Sequence, residues 1–414
     1  MTGSTATGAT PPGPERRSPV RRSLEPLGLE RRWEERVQRA AHPLVYPLLS
    51  RARRPVLRVP GVGVLVTDAE VLRSVLLRPA AFTKTGPGSP SDLWTPVLGP
   101  SVLLNMEGAD HLALRRRLSP LFSPAVVSEL TRSTLSVEAD RMRRALAAGE
   151  PVDLVATVRE FAGRMISGLV GLDREVVGEE LFARVSRITG YVRLSRPRLT
   201  DAQVASARAV LDELTRGARG AYHAEADTVP ARMRELGLSE EEAMGAVGAF
   251  VLTGTETLVS YLPRLIAVLA DTGWLSRLAA DRTLVAAAVA EGLRVTTPSP
   301  VMLRSVVAEA DVGGVVVRPG ERLVLATFLA NRASGAFDPV GNPSADLKQL
   351  WFGAGAHFCL GAPLAMAQIS LVLDAVLDAE LESGGAGRPL RLLRRSAQRG
   401  VLIPGYRRLV LGAG

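Results

Sequence analysis

The residues best suited to chemistry lie in one short stretch. Residues 352–361 read Phe-Gly-Ala-Gly-Ala-His-Phe-Cys-Leu-Gly, and Cys359 is the only cysteine of 414 residues. A lone cysteine is most often a small buried hydrophobe. This one stands where a glycine-rich loop runs into Pro363 and the helical apolar pattern Leu364, Met366, Ile369, Leu371, Val372 and Leu373. A helix N-terminus offers unpaired N–H groups and the positive end of the macrodipole, which lower a thiol pKa toward the thiolate that metals require. Gly353, Gly355 and Gly361 lack Cβ atoms, so their backbone can approach a flat ligand and donate N–H groups to sulfur. The pattern predicts a thiolate metal ligand at Cys359.

Other groups of matching character are spread along the chain. His111 and Arg115, four apart, share one helical face and can reach one anion together. Thr253-Gly254-Thr255-Glu256-Thr257 interrupts a long apolar segment with hydroxyls and one acid. Glu291 and Arg294, three apart, make an ion pair that on a surface is worth well under about 1 kcal/mol. Arg304 opens a β-rich piece.

Phe352, Gly353, Gly355, His357, Cys359 and Gly361 together resemble the haem-binding signature of the cytochrome P-450 family. The resemblance implies that Cys359 is the proximal thiolate on the iron of haem b, pushing electron density onto the metal and favouring O–O cleavage. It implies that Phe352, Gly353 and Gly361 lie along the porphyrin. His111, Arg115, Arg304 and His357 would cradle its two buried carboxylates, which need such partners. In the same comparison Glu291 and Arg294 lock the cysteine loop, while Arg116 and Arg117 face a redox partner.

The segment 253–257 resembles the family's distal oxygen-binding motif. Gly254 would widen the helix over the haem, Thr257 would hydrogen-bond oxygen or its water, and Glu256 would connect that site to solvent. Thr253 stands where relatives usually have Ala or Gly. Leu93, Trp94, Phe250, Thr297 and Met302, with segment 191–200, are expected to line the substrate pocket, and an aromatic content of only 4% suggests an aliphatic one. Two departures surround the Glu-x-x-Arg pair: Ala333 follows Asn331-Arg332 where relatives usually carry Asp, and 337–350 contains no arginine to join the pair, leaving Asn342 as the candidate replacement.

The implied reaction is monooxygenation of a small or medium apolar molecule, in bacterial natural-product tailoring, with NAD(P)H electrons arriving through a separate ferredoxin and ferredoxin reductase. Two alternatives are a haem-thiolate enzyme of peroxide-driven, isomerising or dehydrating type, and a helical interaction protein without a cofactor.

These groups require a mostly helical scaffold with a small β region, the cytochrome P-450 fold. Residues 1–25 have no apolar periodicity and are expected to be a flexible tail, with 26–414 as one haem-binding domain. A hairpin is predicted over 56–67 with its turn at Pro60-Gly61, then a helix from Asp68. Segment 82–104, broken by repeated Gly and Pro, reads as a long functional loop. From 110 to 281 the pattern is helical. Ser239-x-x-Glu242 is a capping box opening a helix that runs to Asp271, with Pro263 inside it to bend it. Strands follow at 301–307, 315–317 and 323–327.

Composition narrows the classes. A single cysteine excludes intramolecular disulfides and multi-cysteine metal sites, and four histidines without a His-Glu-x-x-His pair argue against a zinc hydrolase. Net charge is +9, but only Lys84 and Lys348 are lysines and the arginines form no sustained tract, which argues against nucleic-acid binding. Apolar runs such as 246–252 are short of the roughly 20 residues that span a bilayer. No secretory signal follows the N-terminal arginines, so a cytoplasmic monomer is expected.

Overall fold

In the computed structural model, the residues described are 28–52, 54–171, 179–191, 198–225, 227–342 and 349–414. The expected tail at 1–25 lies outside them. So do 192–197, part of one predicted pocket segment, and 343–348, part of the segment that lacks arginine.

The long helix is Glu240–Asp271, 32 residues. It begins where its sequence demands, with both capping-box bonds formed between Ser239 and Glu242. Pro263 lies within it and supplies no N–H to the Val259 carbonyl. Most of its side chains are buried among the helices Leu154–Val170, Asp201–His223 and Trp274–Ala280. Composition and length alone would let this helix cross a bilayer, contrary to the expectation from short apolar runs, yet 67% of its most apolar window is buried inside the protein. Its apolarity serves the core.

The cysteine helix, Ala362–Gly385, starts at Gly361 with Pro363 in its first turn, where a missing N–H costs nothing. It packs along Pro124–Ala147. Beside this helical body, five strands run in the order Val56–Val59, Gly63–Val66, Arg322–Leu325, Met302–Val306, Phe82–Thr83. Gly63–Val66 and Arg322–Leu325 are parallel and the other neighbours antiparallel. The predicted hairpin forms, and Asp68 caps the next helix, Ala69–Leu76, by accepting from the Glu70 and Val71 N–H groups.

Three expectations need correction. Segment 82–104 is not all loop: Pro90–Leu98 is a helix, because Pro90 fits its first turn and Gly99, at φ 78°, ends it. The piece predicted as strand to 327 turns into the helix Thr327–Arg332. A second sheet, Val152–Asp153, Tyr406–Ala413 and Leu390–Ala397, was not anticipated, since its strands carry many arginines and little alternation.

Candidate haem-thiolate site

The cysteine loop is shaped by its own backbone. The Cys359 N–H donates to the Phe352 carbonyl (2.9 Å), closing residues 352–359 into a compact turn. Gly355 adopts φ 70°, and a Cβ there would meet the Leu76 carbonyl at 2.9 Å, so only glycine lets the loop seat against the helix Ala69–Leu76. Cys359 is exposed to a cavity of about 840 Å³, and its thiol is otherwise crowded by protein. That enclosure matters. Burial pushes the Cys359 thiol above its ordinary value, outweighing the Gly361 and Ala362 N–H groups and the Arg115 charge, which pull it down. A cationic metal beside the sulfur would add to the pull of the N–H groups at the helix start and favour the thiolate.

The same cavity is lined by Phe352, Gly353, His357 and Gly361 from the loop, and by His111, Arg115 and Arg304 from two other elements. His111 is buried and Arg115 half-buried on the helix Gly108–Leu118. Arg304 is buried in the strand Met302–Val306, where its guanidinium donates to the Leu303 carbonyl (2.8 Å). Burial brings Arg304 down to about 10, and burial also lowers Arg115. The His111 and His357 rings meet at 4.2 Å between centroids, tilted by 51°. His111 is brought down to about 4 by burial and by His357, Lys84 and Arg115, so it is neutral at pH 7.

Two residues that sequence reasoning missed complete the cluster. Lys84 is enclosed at the cavity wall, and Glu107 accepts from the Lys84 N–H (2.5 Å) and sits 2.6 Å from His357 Nε2. Their signals were faint: one of only two lysines, and an acid just before the helix that carries His111. The cluster thus holds three fixed cations, Lys84, Arg115 and Arg304, against one carboxylate. Among the described residues neither Arg115 nor Arg304 has an ion-pair partner. Two uncompensated positive charges beside an apolar slot fit a flat macrocycle carrying two carboxylates, and the open sulfur fits its iron.

Across the cavity, Thr253, Gly254 and Thr257 of the long helix are on the wall, and a Cβ at Gly254 would meet open space. Thr253 Oγ1 donates to the Ala249 carbonyl (2.7 Å) and Thr257 Oγ1 to the Thr253 carbonyl (2.9 Å). The buried Thr255 hydroxyl turns away to the Val251 carbonyl (3.1 Å). Glu256 is half-buried and is not on the cavity wall. Leu93, Trp94, Phe250 and Met302 line the cavity as expected. Thr297 does not: it is buried, donates to the Leu293 and Arg294 carbonyls, and accepts from Asn331 Nδ2 (2.7 Å). Pro298 and Ser299 are on the wall instead.

Glu291 and Arg294 form no surface pair. Both are about 1% exposed and meet through two bonds of 2.7 and 2.6 Å, while Arg294 also donates to the Asn331, Gly335 and Ala336 carbonyls. Asn342 Nδ2 donates to Glu291 Oε1 (3.0 Å), taking the place expected of it. Arg117, expected to face a partner, instead pairs with Glu242 and donates to the Gly237 carbonyl, tying its helix to the start of the long helix. Arg116 is exposed.

A cysteine sulfur on one wall of a large cavity, a cationic cradle at its edge and a hydroxyl-bearing helix opposite define a haem-thiolate protein. No family model matches the chain. Among curated relatives, the erythromycin C-12 hydroxylase of Saccharopolyspora erythraea is 31% identical over 302 residues, 67% of this chain and 72% of that protein. The mycinamicin IV hydroxylase/epoxidase of Micromonospora griseorubida is 27% identical over 345 residues, 76% of this chain and 81% of that one. Among solved structures, P-450 BioI in complex with an acyl carrier protein ligated to hexadec-9Z-enoic acid superposes with a TM-score of 0.76 at 19% identity, over 91% of this chain and 99% of that one. CalO2 gives 0.73 at 25% identity, over 90% and 96%. The chain belongs to the cytochrome P-450 family. It is an oxidoreductase of the haem b, thiolate-ligated kind, whose electrons come from NAD(P)H through redox partners.

Proposed function

We propose that this protein is a monooxygenase that places one oxygen atom from O₂ into an apolar natural product, with electrons delivered by a separate ferredoxin and its reductase. The observation that carries this reading is the cavity itself, with Cys359 on one wall and Thr253, Gly254 and Thr257 on the other. Bound haem b would supply oxygen activation. The chain's own residues do the rest.

Cys359 would hold the iron, and Arg115, Arg304 and the histidine cluster would hold the porphyrin's carboxylates. Thr257 donates its hydroxyl proton to the Thr253 carbonyl, so its oxygen lone pairs remain to accept a hydrogen bond from a water or ligand on the cavity side. Glu256, one residue before it, is placed off the wall, where a carboxylate can exchange protons between that hydroxyl and solvent. Leu93, Trp94, Ala162, Met165, Ile166 and Phe250 make the surrounding wall apolar, which orients a hydrocarbon skeleton by shape and not by charge. Asp92 and Arg198, 3.7 Å apart, add a charged pair at an exposed part of that wall.

The mycinamicin IV hydroxylase/epoxidase and erythromycin C-12 hydroxylase names of the two relatives support a natural product of that kind as the substrate class. Reconstitution with a ferredoxin, its reductase, NADPH and a panel of macrolactones tests the reading. Product with one added oxygen atom, labelled from ¹⁸O₂, is expected. Turnover with hydrogen peroxide but none with the reductase system would replace it by the peroxide-driven alternative.

A further inference from the structure

We infer that Lys84 holds one carboxylate of the bound porphyrin, and that Glu107 and His357 form a fixed post that aims it. This rests on the haem-thiolate reading above and adds a residue to the cradle that the family resemblance gives to His111, Arg115, Arg304 and His357.

Both nitrogens of His357 are already engaged. Nε2 lies 2.6 Å from Glu107 Oε2, and Nδ1 faces Lys84 Nζ at 3.5 Å. His357 thus bridges the Glu107 carboxylate and the Lys84 ammonium and fixes where each of them points. Lys84 has three N–H donors, of which His357 takes one, and its side chain is on the cavity wall.

The backbone delivers Lys84 to this position from two sides. In the sheet, Phe82 pairs with Val306 and Thr83 with Ser305, so the strand ends one residue before Lys84, which leaves the sheet within reach of the Arg304 charge. From the other side Glu107 Oε1 accepts from the Lys84 N–H (2.5 Å) and the Thr83 hydroxyl (3.3 Å). Glu107 stays ionised, held down to about 2 against the upward push of burial by His357 and the Lys84 N–H. Among the described residues no carboxylate lies within ion-pair distance of Lys84 Nζ. Burial and the nearby Arg304 and Arg115 charges bring the ammonium down to about 8, despite Glu107. An anion in the cavity relieves that cost. The other lysine, Lys348, lies outside the described residues.

The test uses the haem-loaded enzyme. Lys84→Met removes the charge and keeps the length, Lys84→Arg keeps the charge, and the surface variant Arg116→Gln is the control. Transfer of haem to excess apomyoglobin is expected to be about tenfold faster or more in Lys84→Met, with Lys84→Arg recovering part of the loss. Removing a positive charge beside the porphyrin favours the oxidised iron, so the midpoint potential of Lys84→Met should fall while that of Arg116→Gln does not. Far-ultraviolet circular dichroism and the thiolate-type spectrum of the carbon monoxide complex should be unchanged. Parental haem retention and potential in a folded Lys84→Met would overturn the assignment and leave the haem-thiolate reading standing. A parent protein that takes up no haem would overturn both.

Discussion

Arg294 and Glu291 show how a single pair can be misread from spacing. Three residues apart, they look like a surface bridge of negligible value. Buried, with five hydrogen bonds from Arg294 and two further donors on Glu291, they form a closed polar knot beneath the chain at 331–342. Removing one partner leaves a buried charge unpaired, so Arg294→Leu should lower stability by about 3–5 kcal/mol in urea denaturation. Asn342→Ala removes one donor to that carboxylate and should cost about 1.5 kcal/mol. Loss of less than a third of either figure would show the knot to be dispensable. His42 offers a residue-scale test in pH. It is buried, its Nε2 has no partner, and burial brings it to about 4 despite a hydrogen bond to the Leu402 main chain. The folded protein then binds fewer protons than the unfolded chain, whose histidine titrates near 6.5. Stability contributed by neutral His42 is complete above pH 6.5, falls as pH drops toward about 4, and levels off below, for a total of about 3 kcal/mol at most. Melting curves of His42→Gln should show a shallower decline over that window; an identical decline would contradict the assignment.

Among the elements, the turn between the last two strands is the least obvious participant in the site. Leu402 and Ile403 reach the cavity wall although strands Leu390–Ala397 and Tyr406–Ala413 belong to the remote sheet. Besides the His42 bond to the Leu402 main chain, three fastenings hold the turn. Gly400 N–H donates to the Ala40 carbonyl (3.1 Å), Ser260 Oγ to Pro404 O (2.6 Å), and Arg264 to the same oxygen (3.2 Å). Arg264 in turn bonds both carboxylate oxygens of Glu34, whose pKa burial would raise but Arg264, Arg332 and Gln38 bring below its ordinary value. A buried ion pair thus joins the first helix, the long helix and the substrate wall. Ser260→Ala removes one fastening and leaves the pair intact. It should cost about 1 kcal/mol of stability and narrow the discrimination between apolar ligands of different length in spin-state titrations. Unchanged discrimination would separate the turn from ligand selection. None of this was readable in advance, because the turn's fastenings join residues more than a hundred positions apart. The elements that were legible are those with local causes: the capping box at Ser239, the Asp68 cap, and the helix after Pro363.

At the scale of the molecule, a helical body and a small sheet meet around one cavity, and four separate stretches contribute to its cationic edge: 84, 107–115, 304 and 357. The loop around Cys359 was legible because its glycines, phenylalanine, histidine and cysteine are close in sequence. Lys84 and Glu107 were not, since only the sheet register and a helix cap bring them to His357. Thr297 was misplaced for the opposite reason: it neighbours wall residues in sequence, but its hydroxyl satisfies helix-end carbonyls and turns it inward. The direct measurement is the spectrum of the reduced carbon monoxide complex in the parent and in Cys359→Ala, both loaded with haem. The parent should show the thiolate-type band and the variant should lack it. A thiolate-type band that survives in Cys359→Ala, the protein having no other cysteine, would contradict the account at its centre.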